Sequence, residues 1–381
     1  MNLNLSDEQQ FLRDAAAQAL SRFKTVEAAR EGLEDPSALP DLWPTAVEAG
    51  WPGLLVSEEH GGAGLGVYDA VLVAQEAGKV LAGVPLLGVL PAALLLDRAG
   101  YADIDAVASG ELRAAWLPAR PPGGHTAGWT VDPASGMARS AAPVAGVDGD
   151  AVTLSGTVSW APDAGEAQLL VVIGQTADGE PVAAAVDASA AGVSVERTWR
   201  YDATRRLANV TLDGAQGVRL DVCADDIAAA WYLVQTLIAA ESVGTCETAL
   251  AVSLEYAKER HTFGRPIGSY QAIKHGLVEV LRRTENAKSL LVYAGFAFAD
   301  FPQEFAYAAS AARSVAGAAL DFTARELIAV HGGIGATWEH DAPLTFRRSQ
   351  LSRRLVGGTA DATDRVADEL LNGRGPGVQA A

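Results

Sequence analysis

Three uninterrupted runs with helical apolar spacing, over 227–259, 270–300 and 304–331, dominate the last third of this chain. Aliphatic stripes of that length cannot bury their faces alone, so the runs must pack against one another as a bundle. A fourth, shorter run over 360–372 joins them, and GRGPGVQAA closes the chain as a loose tail. The break between the first two runs is crowded. YAKERHTFGRPIGSYQAIKH, from Tyr256 to His275, sets Arg260, Phe263, Gly264 and Gln271 around Pro266, a residue that forbids simple helix continuation.

Upstream the texture differs. Between 114 and 222 the short alternating runs AVTLSGTVSW, QLLVVIG, PVAAAVD, GVSVERTW and ANVTLDG are separated by turn residues, which reads as an all-β domain. Residues 1–112 read as helical. Ser6 with Gln9 forms a capping-box start, HGGAGLG at 60–66 is a turn between helices, and a second run covers 67–82. The expected class is α+β: an N-terminal helical domain (1–112), a middle β-barrel-like domain (113–223) and a C-terminal four-helix bundle (224–381). At 381 residues and 49% hydrophobic content, the chain can fill cores in two or three domains.

A formal net charge of −18 argues against a nucleic-acid partner. MNLNLSDEQQ is too acidic and polar for a signal peptide. The apolar segment 84–96 is interrupted by Pro85 and Pro91 and falls short of the ~20 residues that a membrane span needs, so no membrane is expected. Cys223 and Cys246 have neither metal-ligand nor disulfide spacing, which points to no metal and to a reducing cytoplasm.

HGGIGATWEHD, His331 to Asp341, taken alone is a helix C-cap and turn. Beside Arg260, Phe263 and Gln271 it completes a different set: a charge for phosphate, a ring for stacking, an amide, and glycine backbone that can approach a ligand. That set suits a dinucleotide.

The pattern Y-A-x-x-R-x-x-F-G-x-P-I-x-x-x-Q-x-x-x-H followed by H-G-G-x-G-x-T-W-E resembles the acyl-CoA dehydrogenase family, and DLWPTAVEAGWPGLLVSEEHGGAGLG resembles that family's first domain. The resemblance implies FAD held between the middle and C-terminal domains of a tetramer, an acyl-CoA substrate oxidised to a trans-2-enoyl-CoA in fatty-acid or steroid side-chain β-oxidation, and electron-transfer flavoprotein or a similar acceptor. It implies that Arg260, Phe263 and Gln271, with Gly332 and Gly333, reach the FAD of a neighbouring subunit. It also implies that Thr359 and Trp160 contact flavin and that Gly357 or Gly358 offers an N–H to the thioester carbonyl.

Many members place the catalytic glutamate just before a Gly-Thr. LVGGTADA has Gly357 at that place. By resemblance to the long-chain type, Glu247 on the first bundle helix becomes the base. Its helical neighbours Val243, Gly244, Leu250, Ala251 and Leu254 predict an unpaired, perturbed carboxylate. Glu241 on the same helix is its rival.

The middle domain departs from the family pattern. LPARPPGGHTAGWTVDPASG does not preserve the T-E-P-x-x-G-S-D loop, and W-I-T has become Trp160-Ala161-Pro162, where proline has no donor and Trp160 could equally be a core residue. Ala329 stands where a glutamine is usual. Some members are heterotetramers whose two chains divide each site, and this sequence reads as one half of such a pair. The alternative role is therefore a non-catalytic subunit that completes a partner's FAD site. Arg347, Arg348, Arg353 and Arg354 are expected to form a solvated, ion-paired face.

Overall fold

Ser6 opens the first helix with the anticipated capping box: its hydroxyl accepts the Gln9 amide proton, and the Gln9 side chain accepts the Ser6 N–H, each at 3.2 Å. The structure, a computed structural model, describes residues 4–117, 130–131, 139–140 and 142–376. Six helices come first: α1 (Asp7–Ser21), α2 (Thr25–Glu31), α3 (Trp43–Glu48), α4 (Val67–Lys79), α5 (Leu86–Arg98) and α6 (Ile104–Ser109). α5 carries Pro91 inside its span and is buried from Leu86 to Leu96.

Among the described residues nine strands follow: β1 (Ala114–Trp116), β2 (Thr130–Val131), β3 (Arg139–Ser140), β4 (Val144–Asp148), β5 (Ala151–Pro162), β6 (Leu169–Gln175), β7 (Pro181–Asp187), β8 (Val193–Thr198) and β9 (Leu207–Arg219). Pairing runs β6–β4–β5–β9–β7 and returns from β7 to β6, so the sheet closes on itself. Closure removes exposed edges. Alternate residues such as Val152, Leu154, Leu170, Val172 and Val210 fill the inside. β1 joins β6 in parallel, β8 covers β9, and β2 pairs with β3.

The C-terminal part contains α7 (Ala224–Glu259), a short hairpin of β10 (His261–Thr262) and β11 (Arg265–Pro266), then α8 (Gln271–Asp300), α9 (Phe305–His331), α10 (Ala342–Ser352) and α11 (Gly358–Leu371). The fold is thus α+β, a β-barrel between two helical parts. α7 is its central element, in contact with α4, α8 and α9. By composition α7 is apolar enough to cross a membrane, but 67% of its most apolar window is buried in the protein's own core.

α4 and α7 meet through glycine. A Cβ on Gly244 would lie 2.0 Å from the Gln75 carbonyl oxygen, and one on Gly78 would lie 2.1 Å from that of Glu241. Both obstacles are backbone, so Gly244→Ala must push the helices apart. We expect a loss of roughly 3 kcal/mol, the upper end of overpacking costs, read as a lower urea midpoint.

Candidate cofactor clamp and the filled barrel junction

The hairpin β10–β11 turns at Phe263 and Gly264, both at positive φ (49° and 78°). That conformation is costly for phenylalanine, yet its ring is 97% exposed. The hairpin is braced from below. The Tyr270 hydroxyl donates to the Thr262 carbonyl at 3.1 Å, and the Arg265 guanidinium sits 4.2 Å from the Tyr270 ring. Arg260 caps α7: its N–H donates to the Tyr256 carbonyl at 2.8 Å, and its carbonyl accepts the Ile267 N–H at 2.7 Å. Its side chain is exposed and has no ion-pair partner among the described residues. Gln271, the first residue of α8, is exposed as well.

Gly332 caps α9: its N–H donates to the Ile328 and Ala329 carbonyls at 2.9 and 3.2 Å, so that N–H is committed, while the residue itself is exposed with open space where a Cβ would stand. Gly333 is exposed, with open space where a Cβ would stand.

Away from the clamp, beside the N-terminal half of α7, the junction of the barrel with the helices is filled. A register shift in β5 between Val158 and Ala161 holds Trp160 at φ 58°, its N–H donating to Asn209 Oδ1 at 3.3 Å. The ring is 4% exposed, with the Arg200 guanidinium 4.0 Å from its centroid. Burial holds the Arg200 guanidinium below its usual range, and its Nε has no hydrogen-bond partner. Asp163, next to Pro162, is buried and accepts the Gly88 N–H at 2.9 Å; burial pushes its carboxyl up to about 6.

The segment 201–206 enters the same junction. Arg205 donates to both oxygens of Glu241, the first at 3.0 Å, and Arg348 donates to Asp202 and Thr204, each at 3.0 Å through Nε. Burial, with Arg348 close by, lowers Arg205 to about 9. Glu241 is therefore locked to arginine and is not poised to take a proton. The expected arginine face is also corrected. Arg348 is fully buried and Arg347 is half-buried, donating to the Tyr201 carbonyl at 2.8 Å; Arg353 and Arg354 alone are exposed.

Gly357 and Gly358 have φ of 79° and 77°. A Cβ on Gly357 would meet Asp361 Oδ2 at 2.8 Å and the Trp231 indole at 3.0 Å, so a side chain at the place of the family's late glutamate would run into both. The Gly358 N–H donates to the Leu355 carbonyl at 3.1 Å and is committed there. The Thr359 methyl is packed on α9 so closely that a Cβ on Gly317 would lie 2.1 Å from it. Space between Trp231, Gln235, Asp361 and Arg365 shrinks to about 10 Å³, and a groove of about 450 Å³ opens farther along α11, past Arg365.

Glu247 also differs from expectation. It is neither unpaired nor pushed up. Its carboxylate accepts from Gln75 Nε2 and Lys288 Nζ, each at 2.9 Å, with Lys79 Nζ at 3.6 Å. Burial opposes ionisation, but the Lys288 and Gln75 bonds and the two ammonium charges prevail and lower its pKa. Such a carboxylate stabilises the fold in full above its unfolded value of 4.5, and the contribution is lost as pH falls through the depressed folded value. Glu247→Gln should melt below wild type at pH 7, and the gap should close on acidification below about pH 4.

Residues 6–120 match the acyl-CoA dehydrogenase N-terminal domain and residues 233–371 the C-terminal domain. Acyl-CoA dehydrogenase IpdE2 of Mycobacterium tuberculosis is 31% identical over 374 residues, spanning 96% of this chain and 98% of the relative. The chain belongs to the acyl-CoA dehydrogenase family. IpdE2 of Mycolicibacterium smegmatis is 28% identical over 96% of this chain and 100% of its own length. Among solved structures, a variant of the Tcur3481-Tcur3483 steroid ACAD superposes with a TM-score of 0.84 at 28% identity, covering 96% of this chain and 98% of that one. The acyl-CoA dehydrogenase is an oxidoreductase, a flavoprotein of lipid metabolism, and FAD is its cofactor.

The exposed side of the chain fits the nucleotide end of FAD: a guanidinium for pyrophosphate with no ion pair among the described residues, an open ring, and an amide at a helix start. The flavin side fits less well, since Arg200 covers Trp160 and Pro162 supplies no donor. Most of the degenerate T-E-P stretch, 118–129 and 132–136, lies outside the described residues. Arg200, Arg205 and Trp231 escape sequence reading because each acquires its meaning from a partner far along the chain.

Proposed function

We propose that this chain serves the α,β-dehydrogenation of an acyl-CoA thioester to a trans-2-enoyl-CoA as the clamp-bearing subunit of a tetramer, completing the FAD site of a second family member. The observation that carries this reading is the contrast between an exposed Arg260–Phe263–Gln271 clamp and a junction occupied by Arg200, the Arg205–Glu241 pair and Trp231. Likeness to a steroid ACAD that bears two protein names favours a steroid-type side-chain thioester and a heteromeric assembly. The two free cysteines accord with a reducing cytoplasm.

FAD, held at its nucleotide end by Arg260, Phe263 and Gln271, would supply the hydride acceptor for the β-carbon of the thioester. The residues of this chain bind and orient. Arg260 grips pyrophosphate with a planar fork, Phe263 stacks, and Gln271 hydrogen-bonds at the mouth of the clamp. Glu247 stays ionised and holds α4 against α8, leaving proton abstraction to a carboxylate on the partner. Electron-transfer flavoprotein or a similar acceptor would be the redox partner.

Expressed alone, the protein should be colourless. Co-expressed with a family member that retains an intact T-E-P loop, it should purify as a yellow complex that oxidises acyl-CoA with an artificial acceptor. A yellow, active homotetramer would overturn the division of labour and restore a site within this chain.

A further inference from the structure

Three rings form a continuous column beneath the clamp. Tyr256, one turn before Arg260 on α7, stacks on His331, the last residue of α9, with centroids 4.2 Å apart and planes 30° apart. His331 in turn lies 4.2 Å from His340 at 41°. His331 is 5% exposed and its Nδ1 lies 2.7 Å from the Leu327 carbonyl; since a carbonyl only accepts, Nδ1 carries the proton. His340 is fixed the opposite way. The Ala342 N–H at the start of α10 donates to its Nδ1 at 3.0 Å, so Nδ1 is the lone-pair nitrogen. Burial and His331 both hold the His340 imidazole below its usual pKa, although Asp341 pulls the other way.

The ends of this column are the two halves of the clamp. Tyr256 accepts the Arg260 N–H through its carbonyl, and His331 is bonded directly to Gly332–Gly333. The halves belong to different helices: α7 and α9 pack extensively along the bundle, which sets their coarse spacing, and nearest the two turns the small cluster of Ala257, Ile267, Leu277 and Val330 lies beside the column. Outside that cluster, each clamp segment leaves its helix as an exposed turn.

We propose that the Tyr256–His331–His340 column is a positioning device that sets the distance between the Arg260 turn and the Gly332–Gly333 turn, and so the affinity of the clamp for the pyrophosphate of FAD. This rests on the clamp reading above. The ring of His331 does the positioning by stacking on both neighbours, and its Nδ1–H only fixes which way the ring faces.

The test separates ring from hydrogen bond in the co-expressed complex. His331→Asn keeps a donor near Nδ1 but removes the ring; His331→Phe keeps the ring and removes the donor. FAD release is followed by flavin fluorescence, global folding by thermal melting, and Arg260→Ala is run beside them. Expected is an FAD affinity about tenfold weaker in His331→Asn and close to wild type in His331→Phe, the size of two lost ring contacts. His340→Ala, at the outer end of the column, should weaken FAD severalfold without moving the melting temperature. Equal weakening by the Asn and Phe variants, or no change in either while Arg260→Ala loses FAD, overturns the column. If Arg260→Ala also retains FAD, the clamp reading itself has failed.

Discussion

Arg260→Ala is expected to strip flavin from the assembled protein while leaving the chain folded. The side chain is exposed and makes no ion pair among the described residues, so its removal costs the isolated subunit almost nothing. In the complex it faces a pyrophosphate, where a charge-assisted bond contributes about 1.5–3 kcal/mol. That translates to FAD binding weaker by roughly 10- to 150-fold. Arg260→Lys should recover only part of the loss, because an ammonium cannot reproduce a two-pronged grip on phosphate. The ratio of flavin to protein absorbance after gel filtration reads the effect, with circular dichroism as the folding control. A variant that keeps its flavin through gel filtration would remove Arg260 from the site. If the flavin is lost and the oligomer dissociates as well, Arg260 acts at the seam and not on the cofactor.

Sequence periodicity carried most of the fold, and it failed where side chains act across long chain separations. The runs at 227–259, 270–300 and 304–331 became α7, α8 and α9 almost to the residue, because an apolar stripe on a long helix has one reasonable destination. α10 was invisible. APLTFRRSQLS has Pro343 near its start and two adjacent arginines, and what holds it is Arg348 bonded to Asp202 and Thr204, 146 and 144 residues away. Glu247 failed for the same reason. Its neighbours along the helix are apolar, as read, but Gln75 arrives from 172 residues upstream and Lys288 from 41 downstream, and these two decide its charge state. Hydrophobic pattern reports which face is buried and says nothing about which ion meets it there. Trp160 illustrates a third limit: no local signal announces that Arg200 will lie over its ring.

Glu241→Ala should be the most damaging single substitution in the junction. The residue is 2% exposed and bonded by both oxygens to Arg205, with an Arg348 nitrogen 3.9 Å away. Removing one partner of a buried pair leaves the other charge without its counterion, at a cost of about 3–5 kcal/mol. The Arg205 cation already suffers from burial, which lowers it to about 9, so it has little tolerance for losing its anion. The urea midpoint of the subunit should fall accordingly. Replacing both partners, Arg205→Met with Glu241→Leu, should recover most of the loss, because two apolar side chains require no counterion and Arg348 keeps its bond to Asp202. That recovery also bears on function. If the double variant folds and still supports FAD binding and turnover when co-expressed, the charges at this junction fill space in a site that the chain no longer uses. If instead turnover vanishes in a well-folded double variant, the pair takes part in the chemistry, and the acid on this helix that matters is Glu241.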